Sequence, residues 1–449
     1  MHLGDYIYEY GLSGYGGDTA ITLGRIPAPQ VECIHLADYR LRHAQYKGEA
    51  ELQALHAKAP WITVWDDHEV ANDSWTGGAE DHQPNEGVWA DRKRAALQAY
   101  YEWMPIRDPE PGRAFEAINR SFQFGDLFTL IMLETRLLAR SKQLDYATDM
   151  PIAMQRWNFS DPHAPVALRD GEPDANAMQR LPAIYEDIAG SLQPVLDWRR
   201  AGPMLQNARN LPHGFYLSPD LAELNRRLSL PERTMMGGAQ EQWFADQLAQ
   251  SKRGGAVWQV IGNQVIMAPV TAPDLSQTPA QLAAALEQVR PGVTQLLKLT
   301  RFPFPLNTDA WDGYPGARER VLSAFRRAGG NAIVVTGDSH SAWANELADQ
   351  DGRVAVEFGT TSITSPSDAE YFSRAGMDFG ALLRARNPQV KWTDQSCHGF
   401  ILLTLTREQA KAEFFSVSTI LSKQYETRLD AAFTVAPESG AGIGAITPV

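Results

Sequence analysis

Cysteine is nearly absent: the 449 residues hold two, Cys33 and Cys397. Two cysteines make no disulfide framework. They leave either one bridge or two buried thiols, and the thiols are the plainer reading. Long hydrophobic runs are missing too. No window reaches about 18 unbroken apolar residues, so no membrane span is expected. The opening Met1-His2-Leu3-Gly4-Asp5 has no basic leader region and no apolar stretch behind it, so no signal peptide is read there. Basic charge is in deficit. Lys+Arg number 41 against 54 Asp+Glu, a net charge of −13. Phosphate contacts need clustered Lys and Arg, so a nucleic-acid-binding surface is not expected. An anionic substrate stays possible, because a bound metal outweighs the whole-protein field locally. Internal repeats and low-complexity runs are also missing. With 44% hydrophobic and 21% charged residues, disorder, collagen and coiled coil are excluded.

What is present reads as an α/β chain. Amphipathic helices are expected at 86–103, 240–251 and 318–328. Short β-rich runs stand at 61–65, 127–133, 256–261, 332–336, 354–358 and 400–405. Strands alternating with helices suggest α/β layers. The stretch from about 141 to 231 is rich in Pro, Asp, Asn and Ala and broken by turn signals such as Ser160-Asp161-Pro162. It reads as a lid or cap inserted on the core. The length alone allows up to three domains at about 150 residues each; one core with a large insertion fits the pattern better. The tail at 436–449 is rich in Gly, Ala and Pro and reads as a surface segment.

Three polar clusters accompany short apolar runs. They are His2-Leu-Gly-Asp-Tyr-Ile-Tyr-Glu9, Trp61-Ile-Thr-Val-Trp-Asp-Asp-His-Glu69 and Ala332-Ile-Val-Val-Thr-Gly-Asp-Ser-His340. In open α/β sheets ligands bind beyond the carboxyl ends of strands, so side chains far apart in sequence can converge there. Carboxylates suit hard cations, and imidazole suits iron or zinc. Asp338 and His340, two residues apart in a loop, can face one ion. The phenol of Tyr8 is an unusual ligand, because a metal must depress a pKa near 10; that favours a strong Lewis acid such as Fe³⁺. Each cluster alone has a plain alternative. Gly4-Asp5 is a common turn, His340 suits a core histidine, and the acids at 66–69 suit a helix cap. Three such clusters together point to a two-metal centre that clamps a phosphate.

The order of these motifs resembles that of calcineurin-like metallophosphoesterases, whose fold is a four-layer α/β/β/α sandwich. Gly4-Asp5 is similar to that superfamily's second motif, Asp67-His68-Glu69 to its third and Asp338-x-His340 to its last. Where the superfamily has a histidine after a strand, this chain has Gly262-Asn263-Gln264. These departures resemble one branch, the PhoD-like alkaline phosphatase and phosphodiesterase family. Further matching segments are Ala37-Asp-Tyr-Arg-Leu-Arg42, Leu133-Glu-Thr-Arg136, Arg233-Thr-Met-Met-Gly237, Trp311-Asp-Gly-Tyr-Pro315 and Ser362-Ile-Thr-Ser-Pro366. The resemblance implies one phosphatase domain over 1–449, interrupted at about 141–231. Against the family's pattern, the first strand, the first metal ligand and any N-terminal β-sandwich domain are missing from this sequence. The resemblance implies hydrolysis of phosphate mono- or diesters by a metal-bound hydroxide, with Fe³⁺ and Ca²⁺ as cofactors.

Residue by residue, the resemblance implies that Asp5 bridges the metals and that Tyr8, Asp338 and His340 complete the iron site. Asp66 and Asp67 serve the calcium site, with Asn263 or Gln264 on its oxygen-rich side and Asn72 as a further candidate. His68 and Asp67 are the catalytic candidates, His68 as proton donor near the phosphate. Arg136 suits either a phosphate fork or a partner for a carboxylate. Residues 311–314 suit either a mobile lid or a packed turn. Arg40 and Arg42 suit ion pairs that pin a helix or loop. Family members resemble exported proteins, although no export signal is visible. Two other readings compete. One is a binding protein on the same fold that lacks the first metal ligand. The other is a serine esterase using Gly337-Asp338-Ser339, a motif such enzymes carry near the N-terminus.

Overall fold

The Val- and Ile-rich runs form strands buried on both faces, as expected of the inside of a parallel sheet. In the computed structural model, which describes residues 1–14, 16–289, 292–367, 369–438 and 442–449, the chain divides into two compact units. The first takes Met1–Gln143, Pro231–Val270 and Asn307–Val449; the second takes Leu144–Leu230 and Thr271–Leu306. The sequence pointed to one interruption, at about 141–231. The segment 271–306 carried no signal that set it apart.

The first unit is built on a seven-stranded sheet. Its strands are β1 (Arg120–Phe124), β2 (Phe128–Met132), β3 (Trp258–Gly262), β4 (Asn331–Thr336), β5 (Ala342–Asp349), β6 (Gly352–Gly359) and β7 (Val390–Asp394). They lie in the order β1-β2-β3-β4-β6-β5-β7. The pairs β2/β3, β3/β4 and β4/β6 are parallel; β1, β5 and β7 pair antiparallel with their neighbours. Every residue of β3 and β4 is buried. A second, antiparallel sheet takes β8 (Gly399–Leu405), β9 (Ala410–Val417), β10 (Thr427–Val435) and β11 (Thr447–Pro448). Strict alternation in β9 turns Ala412 and Phe414 inward and Glu413 and Phe415 outward. The two sheets share a core, with the Phe414 ring 6.2 Å from Phe358 and 4.8 Å from Trp392.

Four helices of this unit matter for the site. They are α1 (Leu36–Lys47), α2 (Trp89–Trp103), α3 (Gly237–Arg253) and α4 (Pro315–Ala328). The last three contain or closely match the helices expected from periodicity. Phe244 of α3 meets Phe325 of α4 edge to face at 5.5 Å. Arg92 of α2 donates to the Tyr39 hydroxyl of α1 at 3.0 Å.

Two expectations need correction. The run Trp61–Trp65 is no sheet strand: among the described residues its ladder partner is His2, joined by one parallel bridge to Thr63. The 436–449 tail is not all surface. Ile443 and Ile446 are buried in the shared core, where apolar side chains outweigh the turn-rich composition around them.

The second unit holds two three-stranded sheets and two apolar clusters of its own. Trp157, Ile184, Val195, Ala201 and Leu211 form one; Leu224, Leu228, Ala272, Leu299 and Phe304 form the other. Its two chain segments are stitched by Arg301, which reaches Asp187 and Asp274, each at 3.0 Å.

Candidate metal centre

The three sequence clusters converge in the first unit, and backbone geometry makes this possible. Gly4 has φ +118°, and a Cβ there would meet the Asp66 Cβ at 2.2 Å, so only glycine lets the two loops approach. Five non-glycine residues have positive φ among the described residues; Asp5, Asp73, Asp338 and His340 are four of them. Each such backbone costs about 1–3 kcal/mol and persists where its surroundings over-determine it. Here the surroundings include Glu69. Its buried carboxylate accepts N–H groups of Asp5 at 3.0 Å, Tyr6 at 2.5 Å and Asp66 at 2.7 Å. Burial, then the charge of Asp5, push the Glu69 carboxyl well above the usual range.

One group forms around Tyr8. Its hydroxyl lies 3.0 Å from His340 Nε2 and 3.3 Å from Asp5 Oδ2. His340 Nδ1 donates to the Pro366 carbonyl at 2.7 Å, which fixes the proton on Nδ1 and turns Nε2 towards Tyr8 and Asp5. Burial lowers the basicity of this imidazole, and the hydrogen bond and charge of Asp5 more than offset it. The second group is Asp66, Asp67 and Asp338, with ligand atoms within 4.8 Å of one another; Asp5, Asp67 and His68 meet the same criterion. Asp67 belongs to both sets. Asp338 therefore lies with Asp66 and Asp67 and on Arg136, whereas its sequence neighbour His340 lies with Tyr8.

The donor set fits a cation on a further observation. Among the described residues Asp5 Oδ1 and Asp67 Oδ1 are buried and have no hydrogen-bond partner; Asp67 Oδ1 lies 3.5 Å from the Arg136 guanidinium. A buried anionic oxygen left unpaired is costly, and a cation between such oxygens removes that cost.

His68 packs against Tyr8, with ring centroids 4.3 Å apart. Its Nδ1 meets Glu9 Oε2 at 2.8 Å, and the other Glu9 oxygen accepts the Asn72 N–H at 2.6 Å. Both side chains are buried. Burial lowers the His68 pKa, but the charges of Glu9 and Asp67 hold it well above its ordinary value. Sequence reasoning assigned no role to Glu9, although it closes the first cluster.

Arg136 is a carboxylate partner, not a phosphate fork. It is fully buried and reaches Asp66, Asp309 and Asp338. Asp309 and Asp73 were both missed. Asp309 binds Arg136 and Arg140, and Asp73 donates its N–H to Asp67 Oδ2 at 2.6 Å. Neither has a strand-end position or motif spacing to mark it.

Several expected residues are engaged elsewhere. Asn263 accepts from Trp311 Nε1 at 3.1 Å and donates to the Val265 carbonyl at 2.5 Å. Gln264 accepts from Thr135 Oγ1 at 2.6 Å and donates to the Leu133 carbonyl. The Asn72 amide donates to Glu80 at 3.0 Å. These hydrogen bonds tie the three amides to the scaffold, not to the acidic groups. Residues 311–314 are a packed turn: Trp311 and Tyr314 are fully buried, and a Cβ at Gly313 would strike the Thr308 carbonyl oxygen. Arg40 makes the expected ion pair, with Glu102 at 2.6 Å. Arg42 instead spans the carbonyls of Tyr8, Ala28 and Pro29, and so pins the Tyr8 loop. The esterase reading fails on geometry. His340 is turned to Tyr8 and Pro366, while Ser339 Oγ accepts from Trp343 at 2.9 Å. Both cysteines are free thiols, and burial pushes Cys33 up to about 12.

Comparison with known proteins shows what the chain is similar to. Alkaline phosphatase D of Bacillus subtilis (strain 168) is 29% identical over 421 residues, covering 92% of this chain and 53% of that protein. The chain thus spans about half the length of that curated relative. A solved structure titled "Structure of PhoD" matches with TM-score 0.63 and 27% identity, covering 100% of this chain and 65% of that one. The family model described as PhoD-like phosphatase matches residues 1–414, and the chain belongs to that family.

Proposed function

We propose that the chain is a metal-dependent hydrolase of phosphoric esters, acting on phosphate mono- or diesters. The observation that carries this reading is the pair of buried oxygens, Asp5 Oδ1 and Asp67 Oδ1, that accept no hydrogen bond among the described residues, within a set of acids, a phenol and an imidazole. Tyr8, His340 and Asp5 would hold a ferric ion, since a phenol gives up its proton only to a strong Lewis acid. Asp66, Asp67 and Asp338, an oxygen-only set, suit Ca²⁺. Asn263 is the remaining oxygen candidate at the end of β3. When bound, such cations polarise phosphoryl oxygens and activate a water.

The chain's own residues do the rest. Glu69 and Gly4 hold the Asp5 and Asp66 loops in register. Arg42 and Pro366 fix the Tyr8 loop and the His340 ring. Glu9 orients His68 and keeps it protonated, so that Nε2 can pass a proton to the leaving alkoxide. The same reading takes the two sheets and their helices as an α/β/β/α sandwich, with the second unit inserted in one phosphatase domain. The core shared by Phe358, Trp392 and Phe414 supports its two β layers.

Hydrolysis of 4-nitrophenyl phosphate and of its bis-ester, with and without chelator, tests the proposal. Activity is expected in the metal-loaded chain and lost on chelation or in Asp338→Ala. Full activity in a metal-free sample overturns it. No observation favours the scaffold alternative.

A further inference from the structure

Arg136 ends the Leu133-Glu-Thr-Arg136 turn with its side chain wholly buried. Its Nε and Nη2 donate to the two Asp66 oxygens at 2.5 and 3.0 Å. Nη1 donates to Asp309 Oδ2 at 2.6 Å and Nη2 to Asp338 Oδ1 at 2.7 Å. Asp67 Oδ1, which accepts no hydrogen bond among the described residues, lies 3.5 Å from Nη2. The guanidinium cannot withdraw, because Glu134 clamps its turn by accepting N–H groups of Arg136, Leu137 and Leu138 at 3.0, 2.7 and 2.8 Å. Asp309 lies outside the ligand group and is shared with Arg140.

The charges are uneven. Asp66, Asp67, Asp309 and Asp338 carry four formal negatives, and Arg136 and Arg140 cancel two. Within that set two remain, and Asp5 and Asp73 add further negative charge beside it, so the cluster carries an excess that a cation offsets. A fixed buried guanidinium acts strongly on that balance, since screening by water is weak there.

We propose that Arg136 is a built-in cation of the centre: it positions Asp66 and Asp338 and sets how much metal charge the acidic group accepts, with Asp309 as its counterweight. This rests on the metal-dependent reading above. It predicts effects of opposite sign. Arg136→Met removes a positive charge and tightens metal binding. Asp309→Asn removes a negative charge and weakens it. Arg136→Lys keeps the charge but loses the planar fork that anchors Asp66.

The test is calorimetric titration of CaCl₂ into the metal-stripped full chain. Arg136→Met should bind Ca²⁺ about ten-fold tighter and Asp309→Asn about ten-fold weaker, each about 1.4 kcal/mol. Arg136→Lys should stay within about three-fold of wild type in affinity while its kcat falls. If Arg136→Met does not fold, as circular dichroism would show, Asp309→Asn and Arg136→Lys carry the test. Variants that all weaken binding, or all leave it unchanged, overturn the charge-setting role while the metal reading stands. A wild-type chain that takes up no cation overturns the metal reading, and this proposal with it.

Discussion

The His68–Glu9 pair offers the sharpest test of how the centre handles protons. Glu9→Gln keeps the side-chain size and an oxygen for the Asn72 N–H, and removes the negative charge 2.8 Å from His68 Nδ1. At an effective dielectric of about 20, unit charges at that distance interact by about 6 kcal/mol. The amide recovers part of this through its hydrogen bond, so a net loss of about 3–5 kcal/mol is expected, the range for breaking a buried pair. His68 should then lose its proton at lower pH. The sign for stability follows. The His68 pKa is held above its unfolded value, so the pair's contribution is fully present below about pH 6.5 and is lost as pH rises through the folded pKa. In Glu9→Gln that alkaline loss shrinks, because only the charges of Asp67 and Asp5 then raise the His68 pKa. The rate should follow the same proton. The alkaline limb of kcat moves to lower pH, and kcat falls by about 10²–10⁴ for an alkyl phosphate, whose leaving group needs a proton. For 4-nitrophenyl phosphate, whose leaving group is stable as an anion, the loss is far smaller. Steady-state kinetics on both substrates across pH 6–10 decides the matter. Equal losses on the two substrates, with an unmoved alkaline limb, refute the reasoning.

Other outcomes follow from the same geometry. Gly4→Ala forces a Cβ into Asp66 at a backbone φ of +118°, so a loss above about 3 kcal/mol is expected; a melting temperature unchanged from wild type would contradict the close approach. Tyr8→Phe should remove the visible phenolate-to-iron absorption of iron-loaded protein, and an unaltered spectrum would exclude Tyr8 as a ligand. His43 is wholly buried, both its ring nitrogens lack hydrogen-bond partners among the described residues, and burial holds its pKa down to about 3. Its folded pKa lies below the unfolded value near 6.5, so stability falls as pH drops from about 6.5 to 3, by about 5 kcal/mol in all. His43→Leu should flatten that acid limb in urea denaturation at pH 4–7; an unchanged pH dependence would count against it.

The site was legible in the sequence wherever chemistry and strand ends coincide. Asp5, Tyr8, Asp66, Asp67, His68, Asp338 and His340 all stood in clusters beside short apolar runs, and local pattern was enough to find them. The buried strands β2, β3, β4 and β6 are legible from their short, mostly apolar runs. Strands β9 and β10 mix Lys, Arg, Asp and Glu with their apolar residues, and no strand is read there from the sequence. Asn263 has a neighbour that local pattern does not record. Its place after β3 suggested a ligand, while the Trp311 indole, distant in sequence, binds its oxygen.

The sequence by itself determined which residue types the chain brings to its strand ends, because charge and side-chain chemistry are local properties. It also determined that Gly4 precedes Asp5, which the close approach to Asp66 requires. Only the tertiary structure decided which acids share a neighbourhood. Asp338 joined Asp66 and Asp67 through Arg136, and His340 joined Tyr8, although the two are adjacent but one in sequence. Positive φ at both residues turns their side chains to different partners. Glu9, Asp309 and Asp73 entered the same way. A buried carboxylate is recruited by whatever donor the fold sets beside it, and neither spacing nor composition records that donor.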